Sequence, residues 1–297
     1  MSHFTVLVVG NNVEAQLAPF HEFECTEQDD EYVQDIDKTD DERSSFERAK
    51  ERGDDYASFA DFLRAMYNKE YVVPFGEEPN KDDHKYGYAL QDENGEITKV
   101  VDRTNPNAKW DWWVVGGRWA GFFTLKDGTT GKRGENGLMG SCKSESGVDQ
   151  ARKGDIDIDG MRAAAVKEAG EKYDEVHAII AGRDWMSWDE CRERNEGDID
   201  AARAQYHDQA VVQDIDKKYT FLRLEDYKMT REKHTQRASD FAIATFAVIK
   251  DGQWYERGEM GWWGAVSNES DDWPARFAEL LDGLPDDTLL TIVDCHI

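Results

Sequence analysis

The sequence predicts an α+β fold, with a central sheet that contains both chain ends and two related hairpins, and with a helical insertion in the middle. Three observations predict it. Apolar, β-branched runs stand at the two ends, Phe4–Val9 and Leu289–Val293. Helix-spaced apolar residues and capping signals fill the centre of the chain. Two Asp-Gly turns, Asp127-Gly128 and Asp251-Gly252, each follow an apolar strand. Terminal strands around helical insertions lie side by side in one sheet, so the 297 residues read as a single domain.

The elements follow in order. Phe4-Thr5-Val6-Leu7-Val8-Val9 is apolar on both faces and closed by Gly10-Asn11-Asn12, which describes a buried central strand. Asn11 and Glu14 have capping-box spacing for a short helix that Pro19 ends. Residues 22–55 hold fifteen acids against five bases and read as an acidic, loop-rich segment with a short strand near Tyr32-Val33. Tyr56, Phe59, Phe62, Leu63, Met66 and Tyr67 recur at steps of three and four, giving the clearest amphipathic helix. Tyr86–Leu90 and Ile97–Val101 then form a hairpin around Glu93-Asn94-Gly95. The helical insertion, about 155–210, carries helices over 160–180, 187–195 and 198–207, the middle one opened by the Ser187/Glu190 capping box. Asp272-Trp273-Pro274 starts a last helix with Phe277, Leu280 and Leu281 as its apolar stripe and Gly283 as its stop.

Composition bounds the function. Sixty-three acids against 36 bases leave a net charge of -27, concentrated at the two ends of the chain. A field of that sign repels phosphate backbones and attracts basic surfaces, so direct nucleic-acid binding is not expected and a partner with a basic surface is. The other use of such charge is solubility for a chain with ten Trp. No apolar run is long enough for a membrane span, and Met1-Ser2-His3 lacks the basic and apolar regions of a signal peptide, so a cytoplasmic setting is expected. Cys25, Cys142, Cys191 and Cys295 are widely spaced and suggest neither a disulfide framework nor a zinc ribbon. No P-loop, nucleophile elbow, zinc-helix or dinucleotide motif occurs, and the sequence points to no particular cofactor.

Three groups of residues are candidates for a surface or site. The first is the acidic run, with Asp29, Asp30, Glu31, Asp35, Asp37, Asp40, Asp41 and Glu42 as an interaction surface. The second is the aromatic stretch Lys109–Trp119, which holds four Trp and a Gly pair. Strand alternation puts Trp110, Trp112 and Val114 on one side and Asp111, Trp113 and Val115 on the other, while Gly116 and Gly117 allow close backbone approach by another group. Asp111, Trp112, Gly116, Gly117, Arg118 and Trp119, joined by Arg257, Glu259 and Trp262 from a similar stretch, can line a cleft for a planar or anionic ligand. The alternative is that these indoles are core. The second stretch lies in one copy of an internal echo, in which eight of fifteen positions between 126–140 and 250–264 agree, read as similar turn chemistry or a duplication. The third group is His3, Asp294 and His296, which antiparallel terminal strands would bring together as a two-histidine, one-carboxylate metal site; the alternative is polar fraying at strand ends. Asp155–Gly160 matches half a calcium loop, but Val166 stands where the bidentate Glu belongs.

The opening Ser2–Val8, the central Trp110–Trp119 and the ending Val293-Asp294-Cys295-His296-Ile297 resemble a group of tailed-bacteriophage proteins along the whole chain. The resemblance implies a viral origin and a bacterial cytoplasm, and it carries over no activity or site residues. Two functions follow as expectations. The first is a phage accessory protein that binds and inhibits a host protein, of defence or nucleic-acid handling, through its acidic surface. The second is a small enzyme or ligand-binding protein, nucleotide-directed, built on residues 110–119 and 254–264. Charge favours the first, and the paired aromatic stretches favour the second.

Overall fold

A computed structural model describes residues 2–22, 30–80, 82–261 and 265–297. The first strand, β1 (His3–Val9), leads through helix α1 (Val13–Leu17) to a small sheet unit: β2 (Gln34–Asp37), α2 (Thr39–Glu51), α3 (Phe59–Met66), β3 (Val72–Val73), β4 (Gly87–Gln91) and β5 (Ile97–Thr104). The chain returns to the central sheet with β6 (Trp112–Gly117), β7 (Glu135–Asn136) and β8 (Gln150–Arg152). Helices α4 (Ile158–Ile180), α5 (Trp188–Arg194), α6 (Ile199–His207), α7 (Ala210–Asp216) and α8 (Arg231–Phe241) follow. It closes with β9 (Ala247–Lys250), β10 (Gln253–Glu256), β11 (Glu259–Met260), β12 (Val266–Ser267), α9 (Trp273–Asp282) and β13 (Leu289–His296). The class is α+β, and both terminal strands lie in the central sheet.

The sheet order is β10-β9-β1-β13-β6-β7, with β8 also on β13. Strands β1 and β13 pair antiparallel along their length, from His3 opposite His296 to Val9 opposite Leu290. Continuous apolar runs at both ends are explained by burial on both faces. One face packs Leu7, Val248, Leu290 and Ile292 against Trp273, Phe277 and Leu281 of α9. The other packs Phe4, Val6, Val8, Val293 and Cys295 against Leu17, Phe20 and Trp110. Trp273 is fully enclosed, and its indole nitrogen donates to the Thr245 carbonyl at 2.8 Å, so the ring is buried without an orphaned donor. A separate cluster of Phe59, Phe62, Leu63, Val72, Ala89 and Val100 sits between α3 and the second sheet, whose order is β2-β5-β4-β3.

Several expectations change. The acidic segment is not loop-rich over residues 30–55, because β2 and α2 occupy most of it. The charges there help the helix: Asp37 accepts from the Thr39 backbone and hydroxyl at 3.0 and 2.6 Å, Asp40, Asp41 and Glu42 fill the first turn, and Arg48 and Lys50 the last. Only Phe46 and Ala49 are needed for contact with the small core, which is why apolar content failed to reveal the helix. The echo yields one regular hairpin rather than two. Around Asp251-Gly252, β9 pairs β10, whereas Phe123, Leu125 and Lys132 make isolated bridges to Val148, Ile156 and Gln150. The insertion extends past 210 through α8, and the half calcium loop is an N-cap, with Asp157 accepting from the Gly160 amide at 3.0 Å. Helix α1 starts at a left-handed Asn12 with no side-chain cap, so the Asn11/Glu14 box does not form. The α5 box does form, with Ser187 and Glu190 exchanging side-chain-to-backbone bonds.

Candidate functional site

The site lies where β1, β13 and β6 run beyond the core. Register places His3 opposite His296 and His296 opposite Trp112, so three rings stand in a row on one face. The indole of Trp112 stacks on His296 at 5.2 Å between centroids and 16° between planes, and the two imidazoles meet edge-to-face at 5.0 Å. Two residues along β13, Asp294 shares that face and turns its Oδ1 to His3 Nδ1 at 2.8 Å. Asp111, in the bend just before β6, holds His296 Nδ1 with both oxygens, at 2.6 and 2.9 Å.

These polar residues do not fray. The side chains of His3 and His296 are each 7% exposed, and that of Asp294 is 1% exposed. A buried carboxylate needs donors on both oxygens. The Gly pair supplies the second one: Gly116 and Gly117 have φ of 85° and 57°, and the chain curls so that the Arg118 amide donates to Asp294 Oδ2 at 2.9 Å. A Cβ at Gly117 would overlap Cβ and Oδ2 of Asp294, and one at Gly116 would come within 2.9 Å of Asp149 Oδ2. Asp149, fully buried beneath the bend, accepts from the Phe122 and Gly134 amides at 3.0 and 2.8 Å and fixes the loop from below.

The arrangement comprises two Asp–His couples side by side. A carboxylate on Nδ1 orients each ring and assigns the proton to that nitrogen, leaving Nε2 to take up or release a proton. Neither Nε2 has a hydrogen-bond partner among the described residues, and neither is a fully enclosed orphan. The His3, Asp294 and His296 trio is thus brought together in space, with Asp294 engaged by His3 Nδ1 and the Arg118 amide rather than turned toward a position shared with both rings. Among the described residues no cluster of His, Cys, Asp or Glu is arranged to hold a metal ion. Cys295 points to the opposite face, where burial pushes its thiol well above the usual range, so it is no nucleophile for this site.

The aromatic stretch divides between the two readings. Trp110 is buried, Trp113 packs beside the same core, and Trp119 packs on the other face. Trp112 is 42% exposed and belongs to the site. Trp110 leaves the alternation with Trp112 because the bend at Asp111 interrupts the strand, and its indole donates to the Leu17 carbonyl at 3.1 Å. The Arg118 side chain is exposed and has no ion-pair partner among the described residues. Arg257 and Glu259 do not join the couples. Arg257 pairs with Glu269 and lies over Phe241, and Glu259 receives the Ser267 hydroxyl at 3.5 Å. Trp262 lies outside the described residues, as do Asp29 and the side chain of Asp30.

The other acidic candidates sit on β2 and α2 or lead into β2. Asp35 binds Arg103 Nε at 3.2 Å, Asp41 binds Lys38 at 3.1 Å, and Glu42 accepts the Tyr67 hydroxyl at 2.8 Å. The Thr39 bonds to Asp37 hold its carboxyl below the usual range. Glu31 and Asp40 are exposed. No helix among the described residues is long and apolar enough to cross a membrane. Comparison with protein-family models, curated proteins and solved structures finds no match to this chain.

Proposed function

We propose that this protein binds and processes a small anionic ligand carrying a planar ring, of the nucleotide class, by general acid–base chemistry at the two Asp–His couples. One observation carries the reading: two imidazoles, each oriented by its own carboxylate, present unpartnered Nε2 atoms from rings 5.0 Å apart. One Nε2 takes the proton of an attacking water or hydroxyl; the other returns a proton to the departing oxygen, so each turnover leaves the pair in exchanged protonation states that solvent resets. Trp112 offers a partly exposed ring face for a base, and Arg118 offers an exposed cation, without an ion-pair partner among the described residues, for phosphate oxygens. Three distant stretches of the chain, its opening, centre and ending, supply His3, Asp111 to Arg118, and Asp294 with His296 to this one place.

The test is calorimetric titration with nucleoside mono- and diphosphates, followed by phosphorus NMR of any bound compound. Binding should weaken about tenfold in Trp112→Ala and Arg118→Ala, and turnover should fall on the order of a hundredfold in His3→Gln and His296→Gln. Absence of binding across the panel, or turnover indifferent to both histidines, overturns the reading. A second reading, an accessory protein that inhibits a basic host partner in a phage-infected bacterium, is favoured by the exposed carboxylates of Glu31, Asp35, Asp37, Asp40 and Asp41. Salt-sensitive, stoichiometric capture of one host protein supports it.

A further inference from the structure

A concave surface lies in the small sheet unit, and no sequence motif marks it. Its cavity, about 410 Å³, is lined by Glu42 from α2, Tyr67 and Tyr71 after α3, Asp83 and Tyr86 before β4, and Asp102 from β5, among others. Tyr67 and Tyr71 stack at 4.1 Å between centroids and 14° between planes, and the Tyr67 hydroxyl is tied to Glu42. The wall is therefore a fixed aromatic plate. Lys38, the one cation in the lining among the described residues, is engaged by Asp41. Asp102 has no hydrogen-bond or ion-pair partner among the described residues. Burial raises its carboxyl above the usual range, an effect Lys38 only partly offsets.

Two of the lining rings, Tyr67 and Tyr86, are large and exposed. Exposed tyrosines around a polar floor describe a protein-binding surface rather than a small-ion site. We infer that this groove docks an arginine side chain of a protein partner, its guanidinium lying along the tyrosine plate and its fork on Asp102 and Glu42. The charge balance, four lining carboxylates against Lys38, calls for a cation. The flat wall selects the guanidinium over the compact, strongly hydrated ammonium of lysine. This inference is independent of the two Asp–His couples.

The test is titration of the full chain with an acetylated, amidated Gly-Arg-Gly peptide and with its citrulline counterpart, which keeps the shape and lacks the charge. The arginine peptide should saturate at about millimolar concentration, and the citrulline and lysine peptides should bind about tenfold more weakly. Asp102→Asn and Glu42→Gln should each weaken the arginine peptide about tenfold, while Trp112→Ala leaves it unchanged. Ring-proton NMR shifts of Tyr67 and Tyr71 in the unaltered chain provide a readout that needs no variant to fold. Equal affinity for arginine and citrulline, no saturation, or unmoved tyrosine signals overturns the inference. Guanidinium chloride binding as tightly as the peptide also overturns it, by making the groove a small-cation site.

Discussion

The junction of the terminal strands and the groove of the small sheet both gather carboxylates beside aromatic rings, and they use them in opposite ways. At the junction, Asp294 and Asp111 are consumed by His3, His296 and the Arg118 amide, so the polar groups hold one another in place. In the groove, the Asp102 carboxylate has no hydrogen bond or ion pair among the described residues. A net charge of -27 predicts neither outcome. What separates them is backbone geometry: the left-handed Gly pair brings an amide to Asp294, while regular strand β5 brings none to Asp102. A satisfied carboxylate positions its neighbours, and an open one awaits a ligand.

The sharpest way to break the junction is Gly117→Ala. The added methyl overlaps Asp294 and stands on a left-handed backbone, so destabilisation of about 3–5 kcal/mol is expected, read as a fall in urea midpoint without change in slope. Retained stability would show that the Arg118 turn does not depend on the close approach. Next in size is Asp294→Asn, which keeps volume but turns an amide NH₂ toward either the Arg118 N–H or the His3 ring. Either one donor then faces another, or His3 must move its proton to Nε2 to accept from the amide. A loss of about 2 kcal/mol is expected, with His3 ring signals moving in NMR.

Much of this junction was legible in the sequence because strand pairing is a long-range consequence of local pattern. Apolar runs at both ends imply neighbouring strands, and alternation sets Asp294 and His296 on one face, whereas the antiparallel direction that puts His3 by His296 comes only from the observed register. The detail that reassigns the trio from metal ligands to Asp–His couples was not legible, because Asp111 comes from a bend whose side-chain direction alternation does not govern. The groove was hidden for a different reason. Glu42, Tyr67 and Asp102 meet only after α2 folds onto β5, and α2 itself was obscured by a composition that resembles a solvated loop. The Ser187/Glu190 box, by contrast, depends on residues three apart and needed no tertiary knowledge.

The same carboxylate-to-amide change sharpens the comparison by sign. Asp102→Asn removes a half-buried charge that has no donor, so the small sheet should gain stability, by no more than about 0.5 kcal/mol once solvent screening of this partly exposed group is allowed for. Asp294→Asn loses and Asp102→Asn gains. Hydrogen exchange at β4 and β5 amides reads the second effect locally. Equal losses at both positions would mean that Asp102 has a structural partner after all, and the contrast between the regions would fail.

The smallest expected effect is a pH dependence confined to the groove. Burial raises the folded-state carboxyl of Asp102 above its unfolded value, so between those two values the folded chain binds more proton than the unfolded one. Stability from this group must then fall as pH rises through that window, opposite in sign to Asp37, whose carboxyl is lowered by Thr39 and favours the fold as pH rises. Because both groups titrate on the same small unit, the unaltered chain shows only their sum. The difference in β4–β5 exchange protection between the unaltered chain and Asp102→Asn isolates the first. It should widen in favour of the variant as pH increases from about 4 and then level off. A saturating arginine peptide should reverse the ranking, since a guanidinium on Asp102 makes its ionised form the favoured one, and a difference that stays flat across pH removes the open carboxylate on which the comparison turns.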